Sequence, residues 1–536
     1  MKRILLNGKI FTGEKFVSAM EITDDHVSWL GDSRSARLRH ADEVVNLNGR
    51  LALPSFWDVH THPLWISETL GSIACTPPNV ASIEEMIKAL RNSSQVGKKD
   101  AWIEGWGYDE SKLAEGRTPT LADLDKVSTT QPVYVLRSDC HSCVVNSVAL
   151  KLAGITADTP NPVGGMIGHF ANGEPNGVML ENGASKLIKE VKEKDTFENM
   201  VNQTLRLTTH YRQRGIGVIS DMISLVEPYD YAKIYAEAAR RGLLQDVYLY
   251  YSIDEIKRLK LSCLPRSSHP RIHVAGIKLF MDGTISNQTA RVKKPYKNAT
   301  TTGFAINTVE DLKFAYEFAK ANECQIAIHA MGDAAIQLIL DTYGNLEPWL
   351  MNRPSVRIEH ATILDDKLLK QFHDAKMNFA FVTQIIFLYA EYASYFQNLD
   401  EKRLKQCYPL ASMLQSGVPT ALSSDAPATA WIKPDDVFAS LACAVTRVGA
   451  NGEDLNHNEA IDFITAFSLY TKSAAGMVPT DKTAMLTVGQ SADLIVLSQD
   501  LFVTSPEKWQ ETTIEKMYLR GTEIKEEIEV QDGRNY

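Results

Sequence analysis

The strongest chemical signal in the chain is Asp58-Val59-His60-Thr61-His62. Along a strand, side chains alternate between faces, so His60 and His62 point to one side. Two imidazoles at a strand end can grip one metal ion, although two polar residues closing a strand would give the same string. Three other segments repeat the pattern of an apolar run ending in a potential ligand: Ile326-Ala327-Ile328-His329, Val356-Arg357-Ile358-Glu359-His360 and Ala421-Leu422-Ser423-Ser424-Asp425. One histidine after an apolar strand is ordinarily a satisfied core residue. His60, His62, His329, His360 and Asp425, each at a strand end, are not explained that way. Imidazole nitrogens with one carboxylate suit a divalent ion, zinc first, with iron, nickel and manganese compatible. Lys278 lies inside the apolar run Gly276-Ile277-Lys278-Leu279-Phe280, where an ammonium is costly unless paired. Glu359 and Asp425 are its candidate partners.

Short apolar runs alternate with helical patterns through the middle of the chain, which predicts βαβ units and a parallel sheet. Strands are expected to end near Trp57–His60, Val218–Asp221, Val247–Tyr251, Ile277–Phe280, Ile326–His329, Val356–His360, Phe379–Thr383 and Thr420–Ser424. Helices are expected over 228–241, 309–321, 334–348, 366–375 and 408–416. Eight such strands predict a closed (β/α)8 barrel over 51–479, with an open sheet as the alternative. The gap from about 63 to 215 is too long for a crossover, so about 70–190 reads as an inserted subdomain. Both termini have a different texture, with short alternating runs broken by turn residues such as Asn7-Gly8 and Asp24-Asp25. Together, 1–50 and 480–536 predict one small β-sandwich domain.

Composition narrows the function classes. With 44% hydrophobic and 23% charged residues, the 536-residue chain can bury a sizeable core in more than one domain. A formal net charge of −10 argues against a nucleic-acid surface, which needs clustered Lys and Arg, and fits a small-molecule substrate. The seven cysteines are odd in number and scattered, as expected of reduced thiols in a cytoplasm. Cys140 and Cys143 have a C-x-x-C spacing, but no second pair follows, so they read as half-buried thiols. The run Ile4-Leu5-Leu6 is too short for a signal-peptide core, and no stretch approaches a membrane span. A cytoplasmic protein without nucleic-acid or membrane partners is expected.

In this order of strand ends, the chain resembles the amidohydrolase superfamily. More closely it is similar to the YtcJ-like, amidohydrolase-3 branch that includes N-substituted formamide deformylase. The matching stretches include DVHTH at 58–62, WIEGWGYDE at 102–110, RSDCHSCVVNSVAL at 137–150, GIKLFMDGTISNQTA at 276–290, IHAMGDAAI at 328–336, RIEHA at 357–361, SSDAP at 423–427 and GQSADLIVL at 489–497. The resemblance implies a mononuclear or binuclear divalent-metal centre. His60 and His62 would hold one ion and His329 and His360 the other. Lys278 would be carbamylated into a bridging carboxylate, and Asp425 would bind metal and act as the acid/base. A homodimer is the family's expectation. Two departures stand out: Pro54-Ser55-Phe56 replaces Pro-Gly-Phe, and Gly332-Asp333-Ala334-Ala335 replaces Gly-Asp-Arg-Ala.

The chemistry expected is hydrolysis of an amide, formamide or carbamate C–N bond by metal-activated water. Asp425 would shuttle the proton, and His360 or His329 would steady the developing oxyanion. Deamination at a ring carbon uses the same constellation. A non-catalytic regulatory protein retaining the fold is the remaining reading, and the intact ligand set speaks against it. The insertion is expected to cover the barrel mouth. Trp102, Trp106 and Tyr108 would line an apolar pocket there or else form the insertion's own core. Trp106, His141, Asn146 and Gln384 are the candidate substrate contacts.

Overall fold

The computed structural model describes residues 1–162, 164–192 and 196–525. Its centre is an eight-stranded parallel sheet curled into a barrel. The strands are β1 (Phe56–Thr61), β2 (Ile216–Ser224), β3 (Asp246–Ser252), β4 (Ile272–Phe280), β5 (Gln325–Ala330), β6 (Val356–His360), β7 (Phe379–Thr383) and β8 (Thr420–Leu422), each hydrogen-bonded to the next in sequence. Every residue of β1, β5, β6 and β7 is buried, as expected of strands covered on both faces. Trp57, Tyr248 and Tyr250 pack with Ala275, Ala327, Ala380 and Ala421 in one core cluster, large side chains from some strands filling the space left by small ones from others. At the seam between β8 and β1, the Ser424 backbone N–H donates to Asp58 Oδ1 at 3.1 Å and its hydroxyl donates to the same carboxylate.

Helix positions follow local signals. Val309–Ala321 starts at Thr308, whose hydroxyl accepts the Asp311 N–H while the Asp311 carboxylate accepts the Thr308 N–H. Asp333–Tyr343 begins directly after Gly332, where a Cβ would lie 2.0 Å from the Arg291 carbonyl oxygen. Only glycine permits that close approach. The expected helices 334–348 and 408–416 are shorter in the structure, ending at Tyr343 and spanning Leu410–Gln415.

Two further sheets come from the chain ends. One has the strands His26–Gly31, Ala19–Thr23, Lys2–Leu6 and Glu43–Asn46 in that order. The other runs Thr522–Glu523, Ile514–Leu519, Leu494–Leu497, Leu51–Pro54, Lys9–Phe11 and Phe16–Val17. Leu5, Met20 and Ile22 from the first sheet pack on Ile10, Ala52, Leu494 and Val496 from the second, which makes a sandwich. Leu51–Pro54, which directly precedes β1, pairs antiparallel with Leu494–Leu497 in this second sheet.

The insertion is a compact unit of Leu64–Met200, to which Asp425–Pro434 also belongs. Its sheet runs Met166–His169, Pro175–Leu180, Cys143–Val145, Val133–Arg137, Ile103–Tyr108 and Ile73–Ala74. Cys140 and Cys143 are buried free thiols. Burial pushes the Cys143 thiol up to about 12 and Cys140 well above its usual range, so neither is a ready thiolate for metal or redox chemistry. Among the described residues, no helix is long and apolar enough to cross a membrane.

Candidate metal centre

Parallel strands in register deliver their C-terminal ends to one face of the barrel, and the register places the ligand candidates side by side. Phe280 pairs with His329, His329 with Glu359 and Ala330 with His360. The imidazole of His60 has its ring centroid 5.8 Å from that of His62 and 5.0 Å from that of His360. His360 lies 4.3 Å from His329. All four rings are at least 94% buried by residue. Lys278 Nζ is 3.4 Å from His60 Nε2 and 5.0 Å from the Phe280 ring centroid. Strands β1, β4, β5 and β6 therefore bring together His60, His62, Lys278, His329 and His360. Asp425 follows by peptide bond from Ser424, which the Asp58 carboxylate holds against β1.

The proton positions of two imidazoles follow from their partners. His60 Nδ1 is 2.5 Å from Glu359 Oε2, so Nδ1 carries the hydrogen and Nε2 presents its lone pair on the Lys278 side. His329 Nε2 lies 3.0 Å from the Gly283 carbonyl oxygen, an arrangement that leaves Nδ1 for a ligand. Glu359 is held in turn by Arg357, whose Nε and Nη2 donate to its two oxygens at 2.8 and 3.1 Å. Burial pushes the Glu359 carboxyl up. The Arg357 guanidinium, then His60 and Lys278, outweigh that and hold it at about 2.

The backbone at the site is strained. His360 and Ala361 have φ of +67° and +46°, and Asp425 has +57°. Non-glycine residues in this left-handed region cost on the order of 1–3 kcal/mol each and persist where surrounding contacts enforce them. At His360 one such contact is the Thr383 hydroxyl, which donates to the His360 carbonyl at 2.8 Å.

Sequence reasoning missed Asp282 as a builder of the site. Its carboxylate accepts the backbone N–H groups of Met331, Gly332 and Arg291 at 3.0, 2.8 and 2.8 Å, fixing the turn after His329. Burial pushes Asp282 up to about 7 against those three donors. It missed Arg357 too, although an arginine in Val-Arg-Ile-Glu-His carries the signal that marked Lys278, a fixed charge inside an apolar strand.

The candidate substrate contacts have separate fates. Asn146 is fully committed to the insertion's backbone: Oδ1 accepts from Val133 and Ala149, and Nδ2 donates to the Ser128 and Gln131 carbonyls. It caps the helix Ser147–Leu152 and retains no polar atom for a ligand. Trp102 and Tyr108 pack in the insertion's own cores, and Trp106 is buried on the strand between them. His141 Nδ1 lies 3.3 Å from Glu181 Oε2. Burial pushes the His141 imidazole down, but Glu181 and Asp139 outweigh it and raise the ring's pKa. Gln384, directly after β7, donates from Nε2 to Ser423 Oγ at 2.8 Å, and its buried Oε1 has no hydrogen-bond partner among the described residues.

This donor set fits a divalent ion. Four buried imidazoles with neighbouring ring centroids 4.3–5.8 Å apart have no structural benefit that apolar side chains would not supply better. Two of them already have their non-coordinating nitrogen engaged by a carboxylate or a carbonyl, the arrangement that orients a metal ligand.

A barrel with this ligand order on its strand ends defines a metal-dependent hydrolase of the amidohydrolase superfamily. The chain belongs to the amidohydrolase family, whose profile matches residues 43–524. It is 27% identical to the putative amidohydrolase YtcJ of Bacillus subtilis, over 97% of this chain and 99% of that one. It is 25% identical to N-substituted formamide deformylase of Arthrobacter pascens, over 89% of each. The fold is shared with an uncharacterized metal-dependent hydrolase from Pyrococcus horikoshii, with a TM-score of 0.75 and 26% identity over 95% of this chain and 99% of that one.

Proposed function

We propose that the protein hydrolyses a C–N bond in a small organic amide, formamide or carbamate. The observation that carries this reading is the convergence of His60, His62, Lys278, His329 and His360 at the C-terminal end of the barrel. His60 and His62 would hold one ion, His329 and His360 a second, with zinc the best match to the donor chemistry. A bound divalent ion supplies Lewis acidity, lowering the pKa of water towards 7 and polarising a carbonyl. The remaining work falls to the chain. Asp425 takes the proton from the attacking water and returns it to the departing nitrogen. Lys278, as a neutral amine, would add CO2 at Nζ with loss of one proton, giving a carbamate that could contribute oxygen ligands beside His60. Gln384 Oε1, a buried acceptor with no donor among the described residues, suits an N–H of the substrate. The similarity to a formamide deformylase supports this substrate class.

Two measurements test the reading. Elemental analysis of protein purified without chelator should find a divalent transition metal. A panel of N-formyl amines, N-acyl amines and carbamates should be cleaved, with activity lost on chelation and restored by added zinc. A metal-free protein that binds no ion on titration overturns the proposal. Ammonia release from an aminated ring that stays intact would reassign the reaction to deamination.

A further inference from the structure

Arg357 is wholly buried, second in β6, and its donors reach three strands. Nε and Nη2 clasp the Glu359 carboxylate. Nη2 also donates to the Val59 carbonyl at 2.7 Å, the residue immediately before His60. Nη1 donates to the Tyr250 hydroxyl at 2.8 Å, which donates onward to Gln325 Oε1 at 2.7 Å. Gln325 Nε2 is anchored on the Pro354 and Met477 carbonyls at 2.8 and 3.0 Å. The network thus begins among backbone carbonyls and ends on His60 Nδ1.

Two features set this apart from an ordinary buried ion pair. The guanidinium holds both the carboxylate that fixes the His60 ring and the peptide carbonyl next to it, so ring and backbone are positioned by one rigid group. The carboxylate's second oxygen is spent on Arg357, which leaves a single acceptor facing Nδ1 and a single tautomer for His60. An apolar pair of similar volume would fill the same space without leaving charges to bury. The structure retains charges here, and their free end points at a ligand candidate.

We propose that Arg357 and Glu359 are positioning residues that set the tautomer and angle of His60, so that Nε2 is presented to the metal before the ion arrives. This rests on the metal-centre reading above. The pair touches neither substrate nor reacting atoms. Removing it should therefore act on ion affinity and ligand geometry, by the 10–100-fold typical of partners that orient a ligating histidine.

Cobalt(II) titration of the chelated protein, followed through its visible ligand-field bands, reads affinity and geometry together. Glu359→Gln should weaken cobalt binding by about 10–100-fold and alter the band pattern, with the circular dichroism of the ion-free protein unchanged. If that variant fails to fold because Arg357 is left unpaired, the double variant Arg357→Met/Glu359→Gln removes both charges at once and should show the same loss. Either folded variant binding cobalt with wild-type affinity and wild-type bands overturns the assignment alone. A wild-type protein that takes up no cobalt overturns the metal-centre reading and this assignment with it.

Discussion

In the proposed reaction His60 and Asp425 would serve in two different ways, one by being held still and the other by moving a proton. Asp425→Asn keeps the shape of the carboxylate and removes its basicity. Turnover should fall at least about 10²-fold with the fold intact, the low end for a positioned acid/base group. Steady-state kinetics beside a thermal melt check this, and near-wild-type turnover in the folded variant would take Asp425 out of the mechanism. Lys278 offers a different test. With Nζ only 3.4 Å from His60 Nε2 and one wall formed by the Phe280 ring, it occupies a place where an added carboxylate group would lie among imidazoles. Lys278→Ala should lose activity and metal content together, and formate or acetate should partly restore both. Restoration by small amines instead would show that the lysine acts as an ammonium.

At the scale of the element, the barrel tolerates a buried carboxylate within β2, and that carboxylate has a pH signature. Asp221 lies near the end of β2, where burial pushes its carboxyl up to about 6 against hydrogen bonds from the Tyr235 hydroxyl at 2.7 Å and the Ile223 N–H at 3.1 Å. Its folded-state value lies above that of the unfolded chain, so the folded protein keeps a proton that the unfolded chain has already released. Stability is therefore lost as pH rises from about 4 to about 6, and the penalty then stays constant. A shift of this size corresponds to roughly 3 kcal/mol. Asp221→Asn retains a hydrogen-bonding amide and cannot ionise. Its unfolding temperature should fall less than wild type between pH 4 and 7, and the gap should favour the variant at pH 8. Parallel pH profiles for the two proteins would contradict this role for Asp221.

At the scale of the molecule, the two chain ends depend on each other. Leu53 pairs with Ile495, and the Ser55 N–H donates to the Asp493 carbonyl at 3.0 Å, just before β1 carries the His-x-His pair into the barrel. A chain ending at residue 489 would leave Leu51–Pro54 without its antiparallel neighbour and expose Ile10, Ala52 and Met20 from the sandwich core. It should be recovered only as aggregate. Soluble expression with wild-type circular dichroism would show that the barrel does not need the sandwich.

The sequence by itself determined the class of fold and which histidines stand at the ends of the barrel strands. Apolar strands alternating with helices imply a parallel sheet, and the C-terminal ends of parallel strands meet on one face. Histidines at those ends could therefore be assigned to one site from their local context. The match of Val309–Ala321 to the expected helix has the same cause, a cap and a period that lie within a few residues. Only the tertiary structure decided what each polar atom touches. His60 is fixed by Glu359, 299 residues away, and Arg357 grips the Val59 carbonyl across 298. Asn146, a plausible substrate contact by its surroundings in sequence, proved to be a helix cap bonded to four backbone groups. Hydrogen-bond partners depend on distances of about 3 Å, and periodicity carries no information on that scale about residues from different strands.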